Sequence, residues 1–324
     1  MPDQTLKQTN VSLIIPSYNR AALIGQTIDS ALAQSRAFHE IIVVDDGSSD
    51  NTLDLLARYG DKIRVFPMPH AGVQAARNKG VSAASGTHVA LCDSDDLLEP
   101  DFVETGANWL DTHPGYQALY ANFVTFNSDG VSPSDKFSQA PPKWFEHATE
   151  RDGYLCDIPD LYLRTIEFQP LFSSGVILQK SFYQQLGGYD AEFKGIGAED
   201  WEFTLRVAAL GKVALCARPL VRIRKHEGND SGDNIKTVRG TADILEYALR
   251  NHPAAQQYRE NILESIDSRR LGVFNEAFAR GQFDTAEQML CLLRNKPGAA
   301  KFRLKALITK LPHWLRQRAW GLTQ

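Results

Sequence analysis

The sequence predicts an α/β protein, a mostly parallel β-sheet flanked by helices, followed by a helical C-terminal extension. Three observations carry this. Short apolar runs alternate with helical patterns from residue 11 to 95. Three of those runs end in clusters of polar side chains, and after about residue 235 the apolar spacing is wholly helical.

The runs 11–15, 41–44, 63–66 and 88–92 are short and apolar, as buried strands are. Segments 21–34, 51–58 and 73–84 between them carry helical spacing. The order is therefore β-α-β-α-β-α-β, which calls for parallel strands joined by helices. Residues 127–169 are irregular and rich in Pro, Ser and aromatics, including Trp144, Tyr154 and Tyr162, and read as a long functional loop. A strand at 174–178, helices near 181–186 and 200–210, and two short strands at 213–216 and 220–224 resume the domain. The expected division is 1–235 for the α/β domain, with halves at about 10–96 and 97–235, and 236–324 for the extension.

A chain of 324 residues, 43% hydrophobic and 23% charged, can bury one sizeable core and leave length for an appendage. Its net charge of −4 argues against a nucleic-acid binder, which would show a basic footprint across the domain. Cys92, Cys156, Cys216 and Cys291 lie far apart with no metal-type pair, and are expected as reduced thiols. Residues 1–10 are polar, without a basic segment leading into an apolar run, and no stretch approaches the roughly 20 apolar residues that span a bilayer. A cytoplasmic protein is expected.

Sheets of this kind bind ligands outside the carboxyl ends of their strands. There the chain reads Pro16-Ser17-Tyr18-Asn19-Arg20, Asp45-Asp46-Gly47-Ser48 and Asp93-Ser94-Asp95-Asp96. Helix capping accounts for Ser49, Asp50 and Asp96, but not for Asp45, Asp46, Asp93 and Asp95 together. The first turn holds a proline and no G-x-G-x-x-G, and no G-x-x-x-x-G-K-[ST] occurs, so dinucleotide and Walker-type phosphate sites are disfavoured. A metal is then the expected holder of phosphates. Asp93-Ser94-Asp95 is a D-x-D at a strand end, from which carboxylates can reach a ribose hydroxyl and a hard divalent cation. Glu199-Asp200, between Gly195-Ile196-Gly197 and a helix start, is favoured by the helix dipole.

The segments VSLIIPSYNR at 11–20 and IIVVDDGSSDNT at 41–52, with ARNKG at 76–80, DSDD at 93–96 and GAEDW at 197–201, resemble in their order the family 2 glycosyltransferases. The resemblance covers about residues 10–230. It implies the GT-A fold and an inverting transfer from a nucleotide-sugar donor, with 10–96 as the donor half and 97–235 as the acceptor half. It also implies Asp95 as a ligand of Mn2+ or Mg2+, Asp93 on ribose or metal, and His226 completing the metal shell. Asp200 is the implied general base, and Glu199 the implied contact to acceptor or donor sugar. Uridine-type recognition would use Pro16, Tyr18 and Arg20, Asp45 or Asp46, and Arg77 with Asn78. UDP is preferred because an aspartate can accept from uracil N3–H, although thymine offers the same donor. Lys79 reads as a solvated helix position, and Trp201 as either acceptor wall or helix-face core. A nucleotidyltransferase would need a glycine-rich loop after the first strand, and a silent nucleotide-sugar binder would not need Asp200.

From residue 288 to 324 there is no acid, while Arg294, Lys296, Lys301, Arg303, Lys305, Lys310, Arg316 and Arg318 are basic. Leu304, Leu307, Ile308, Leu311 and Leu315 recur at helical spacing beside Trp314 and Trp320, with Pro312 restarting the helix. Residues 298–324 therefore read as a helix for an anionic membrane surface, or as one docked with its basic face in water. With a glycan or lipid-linked glycan as acceptor, the expected place is the cytoplasmic face of the inner membrane, in envelope polysaccharide synthesis.

Overall fold

The computed structural model describes residues 8–226 and 234–322. Strands β1 (Val11–Ser17), β2 (Glu40–Asp45), β3 (Arg64–Pro67) and β4 (His88–Leu91) lie parallel in the order β3-β2-β1-β4. They are joined by α1 (Ile24–Leu32), α2 (Thr52–Ala57) and α3 (Val73–Ala83). Successive side chains serve opposite faces: Leu13, Ile15, Val43 and Ala90 enter one core, and Ile14, Ile42, Val44, Val89 and Leu91 the other. Covering both faces is what makes these strands read as unbroken apolar runs. Helix α3 lies close on the sheet because Gly80 has no side chain; a Cβ there would come within 2.4 Å of Ile14 Cγ2.

Beyond β4 the sheet is mixed. Strand β10 (Val176–Gln179) pairs antiparallel with β4 and with β6 (Ala118–Asn127), and β11 (Val213–Arg224) runs parallel to β6. Strand β5 (Leu97–Leu98) pairs with β11, and β7 (Gly130–Asp135) with β6. The edge is built from β9 (Tyr154–Cys156) and β8 (Thr149–Arg151). Cys92, Cys156 and Cys216 are buried, Cys291 is exposed, and all four are free thiols.

Four expectations need correction. The two runs 213–216 and 220–224 form one strand, whose register shifts between Cys216 and Val221; Pro219 offers no N–H there, so the ladder breaks locally and resumes on the same neighbour. Segment 127–169 is not wholly irregular, since it contains β7, β8, β9 and α5 (Leu161–Glu167), fastened by Trp144 Nε1 donating to Arg164 O at 2.7 Å. Asp96 caps no helix: β5 follows it, and α4 (Phe102–Thr112) starts after Asp101. Ser49 does not cap either; its N–H donates to Asn19 Oδ1, while Asp50 accepts the Thr52 N–H at the start of α2.

Helices α6 (Lys180–Gln185) and α7 (Glu199–Leu210) complete the α/β part. The chain divides into two compact units between residues 227 and 228, with Ile196–Ala198 grouped with the second. That second unit contains α8 (Asn234–Asn251), α9 (Arg259–Ala279), α10 (Phe283–Leu292), α11 (Ala300–Thr309) and α12 (His313–Gly321). Its own core includes Phe274, Phe278, Phe283, Met289, Phe302 and Ile308. Pro312 separates the last two helices, Trp320 Nε1 donates to Phe278 O at 2.8 Å, and Leu304, Leu307, Trp314 and Leu315 stay exposed. Among the described residues no helix is long and apolar enough to cross a membrane.

Candidate active site

The parallel strands bring their polar ends to one edge. Ser17 and Asp45 are register partners at the ends of β1 and β2. Their loops are laced together by Asn19, whose backbone N–H donates to Ser48 Oγ and whose Oδ1 accepts from Ser49 and Asp50. Asn19 adopts a positive φ of 51° to do so, a conformation asparagine tolerates better than most residues. The Arg20 N–H donates to Thr52 Oγ1 at 2.9 Å, and Pro16 lies inside β1.

The two aspartates after β2 have different duties. Asp46 is spent on the turn before α3: it accepts from Ala71 N and Gly72 N at 2.7 and 2.8 Å, and its Oδ2 lies 3.0 Å from His70 Nδ1. Asp45 takes the Ser48 N–H with Oδ2 and keeps Oδ1 buried without a partner. Ser17 Oγ, both amide atoms of Gln74 and Arg77 Nε are likewise buried and unpartnered in the protein. Such atoms are costly when left unpaired, and their gathering at one sheet edge gives a polar ligand groups to bond. Tyr18, 43% exposed, lies against the His70 ring at a centroid distance of 4.3 Å, forming an aromatic platform at the same edge.

At the end of β4, Asp93 Oδ1 is 2.6 Å from Arg77 Nη2, and the Asp93 N–H donates to Ser174 Oγ. Asp95 Oδ2 lies 3.0 Å from His226 Nε2 and 3.8 Å from Arg20 Nη2. The 224–231 segment that carries His226 lies outside the described residues from 227 on. Asp96 is a brace: its carboxylate accepts from Ser174 Oγ at 2.5 Å and from Arg224 N at 2.9 Å, tying β10 and β11 to this loop. Burial, with the neighbouring Asp93 and Asp95, pushes its pKa well above the ordinary carboxylate range.

Arg77 links the two sides of the site. Its guanidinium is buried between Asp93 and the Tyr189 ring, 5.0 Å from the ring centroid, and its pKa is raised by Asp93, Tyr189 and Asp200 against the opposing effect of burial. Asp200, in the first turn of α7, has its pKa raised to about 6 by burial, which outweighs the lowering effect of Arg77; Asp93 and Glu199 add to the rise. Glu199 accepts the Gly195 N–H at 2.9 Å and so shapes the turn before α7.

Asn78 and Trp201 are used structurally. The Asn78 amide donates to Tyr189 O and accepts from Tyr183 OH and Tyr189 N. Trp201 is buried, and its indole N–H donates to Thr165 O, so it belongs to the core. Lys79 is exposed, as expected. Sequence reading missed His70, Gln74, Ser174 and Tyr189. Gln74 sits in the first turn of α3, where position alone could have flagged it; the other three are placed by pairings that no local pattern announces.

For a divalent cation, the structure offers a carboxylate and an imidazole in contact, Asp95 and His226. Among the described residues no three His, Cys, Asp or Glu side chains converge as a self-sufficient metal cage. Two such donors suit a hard divalent cation, which takes oxygen-rich ligand sets and often keeps several waters.

Residues 12–163 match the family described as glycosyl transferase family 2, and residues 160–226 match one described as the N-terminal domain of galactosyltransferase. The chain is 26% identical over 269 residues to chondroitin synthase of Pasteurella multocida, which covers 82% of this chain but 26% of that protein. It is 28% identical over 279 residues to validoxylamine A glucosyltransferase of Streptomyces hygroscopicus subsp. jinggangensis, covering 78% of this chain and 64% of the relative. It therefore spans a quarter to under two thirds of these relatives. Among solved structures, S. aureus TarS residues 1–349 in complex with UDP superposes with a TM-score of 0.60 at 19% identity, covering 97% of this chain and 92% of that one. The sheet and its helices are thus a GT-A fold.

Proposed function

We propose that this chain, a glycosyltransferase that belongs to family 2 through residues 12–163, moves a sugar from a UDP-sugar to an acceptor hydroxyl with inversion, using Asp200 as general base. The observation that carries the reading is the convergence on Arg77: the D-x-D acid Asp93 is bound to it, and Asp200 lies within its field with a pKa of about 6. A base so poised is ionised at neutral pH yet still able to hold a proton, as general-base catalysis requires. TarS, similar in fold, is solved with UDP and with UDP-GlcNAc, which supports a uridine donor.

In this reading the free Asp45 Oδ1 accepts from the uracil ring, Tyr18 stacks on the base, and Ser17 and Gln74 satisfy further polar atoms of the nucleoside. Pro16 and Arg20 shape the loop around it, and Asp46 and Asn78 hold the backbone on which these groups sit. Asp93 addresses the ribose. Asp95 and His226 would hold Mn2+ or Mg2+, which when bound neutralises charge developing on the leaving diphosphate. Asp200 removes the proton from the attacking hydroxyl on the face opposite the nucleotide, and Arg77 keeps its carboxylate ionised. Glu199 fixes the turn from which Asp200 projects and lies where it can meet acceptor or donor sugar.

Relatives named for chondroitin and teichuronic acid synthesis support a glycan acceptor in surface polysaccharide assembly. The acid-free basic tail with exposed Leu304, Leu307 and Trp314 supports attachment to an anionic membrane face, where a lipid-linked glycan would be met. Because Phe302 and Ile308 are core residues, Trp314→Ser is a cleaner test than truncation; undiminished co-sedimentation with anionic vesicles would remove the membrane role.

The decisive test is a donor screen reading nucleotide release with manganese or magnesium, run beside Asp200→Asn and Asp95→Ala. Asp200→Asn should bind donor and fail to transfer, whereas Asp95→Ala should lose both metal and donor. Full transfer by Asp200→Asn overturns the base assignment.

A further inference from the structure

Within the helical unit, the end of α10, the 296–298 turn and one face of α11 enclose a groove of about 460 Å3. Leu290, Phe302 and Leu307 line it together with Lys296, Arg303 and Lys310. None of these three cations makes an ion pair among the described residues. Asp267 accepts the backbone N–H groups of Arg294 and Asn295, and among the described residues neither Asp284, 4.0 Å from Arg316, nor Glu287 on α10 forms an ion pair with the three cations of the groove.

We propose that this groove holds one anionic bilayer phospholipid, its phosphate between Lys296, Arg303 and Lys310 and its first chain carbons along Leu290, Phe302 and Leu307. The proposal rests on the membrane-attachment reading above and gives that attachment a defined lipid site. Charge complementarity selects an anion, and the apolar wall selects one with a chain attached. Leu307, which lines the groove, is 62% exposed and Leu304 on the same helix is 50% exposed, an arrangement that a soluble anion leaves in water and a bilayer covers. A second copy of this chain is disfavoured, since a two-fold contact would set the same unpaired cations against one another.

The test titrates the full chain with monomeric dihexanoyl phosphatidylglycerol, beside dihexanoyl phosphatidylcholine and inorganic phosphate. Saturable binding of the anionic lipid alone is expected, weakened about fivefold by each of Arg303→Ala and Lys310→Ala. Filling the groove with Ala306→Trp should abolish it. Leu307→Glu, at an exposed position, should do the same while leaving helicity and nucleotide release unchanged. Equal binding by Leu307→Glu and the parent chain overturns the proposal, as does inorganic phosphate bound as tightly as the lipid, or a concentration-dependent dimer broken by Ala306→Trp. Vesicle sedimentation separates the two readings. A parent chain that sediments with anionic vesicles but shows no saturable monomer binding overturns the groove and leaves attachment standing. Monomer binding without sedimentation upholds the groove and overturns attachment.

Discussion

The parallel half of the sheet, β1 to β4, and the mixed half, β6, β10 and β11, contribute to the site in different ways. Three of the four parallel strands, β1, β2 and β4, deliver a polar cluster at their carboxyl ends, so Ser17, Asp45 and Asp93 reach the edge through the local turns that follow their own strands. The mixed half delivers few reactive groups but supplies braces from distant parts of the chain: Ser174 to Asp93 and Asp96, Arg224 to Asp96, and Tyr189 to Arg77. The strand-end groups are placed by short-range geometry, and the raised pKa of Asp200, the proposed base, comes from long-range packing. Recognition and reactivity should therefore be separable by mutation.

The largest effect expected is on reactivity alone. Asp200→Asn should lower the transfer rate about a thousandfold while donor affinity, read by calorimetry, stays within a factor of about two. The same variant tests the origin of the raised pKa. A carboxyl raised from 3.8 to about 6 contributes stability that is present below 3.8 and lost as pH rises through about 6. Asp200→Asn should thus unfold at higher denaturant than the parent at pH 8, by about 1–3 kcal/mol, and at the same denaturant at pH 4.

In the parallel half, Gly80→Val should cost about 1–3 kcal/mol in chemical denaturation, because α3 must lift from Ile14. Recognition alone should fail in Asp45→Ala, with UDP affinity about tenfold weaker and an unmoved pH profile. The smallest effect joins the halves. Transfer should fall below pH 6 as Asp200 protonates, and Arg77→Gln should move that acid limb upward by about one unit, since Arg77 lowers the Asp200 pKa. A limb that stays in place would show that the halves do not communicate through Arg77.

The same contrast explains what could be read in advance. The β-α alternation, the three acidic or polar strand ends and Asp200 at a helix start are all local signals, and the structure gathers them at one edge. Helix α4 and strand β6 are announced by no motif, and the 213–224 strand reads as two runs because its ladder shifts register around Pro219. Asn78 illustrates the limit on site residues. The resemblance implies a nucleotide contact for both Arg77 and Asn78, but successive helix positions point in different directions, and the Asn78 amide bonds Tyr183 and Tyr189. The tail was legible as basic and amphipathic, while its partial docking through Phe302, Ile308 and Trp320 depended on α9 and α10.

Arg77 bears on how this site can change over descent. One guanidinium is bonded to Asp93 and within the field of Asp200, so positions 77, 93 and 200 share a single background of charge. On the proposed assignment, a new donor preference that alters Asp93 also retunes Asp200, and a replacement at position 200 inherits whatever charge the donor side leaves behind. Double-mutant cycles among the three should be strongly non-additive. A lineage, or an engineer, that moves one of them should need a compensating step at another before activity returns.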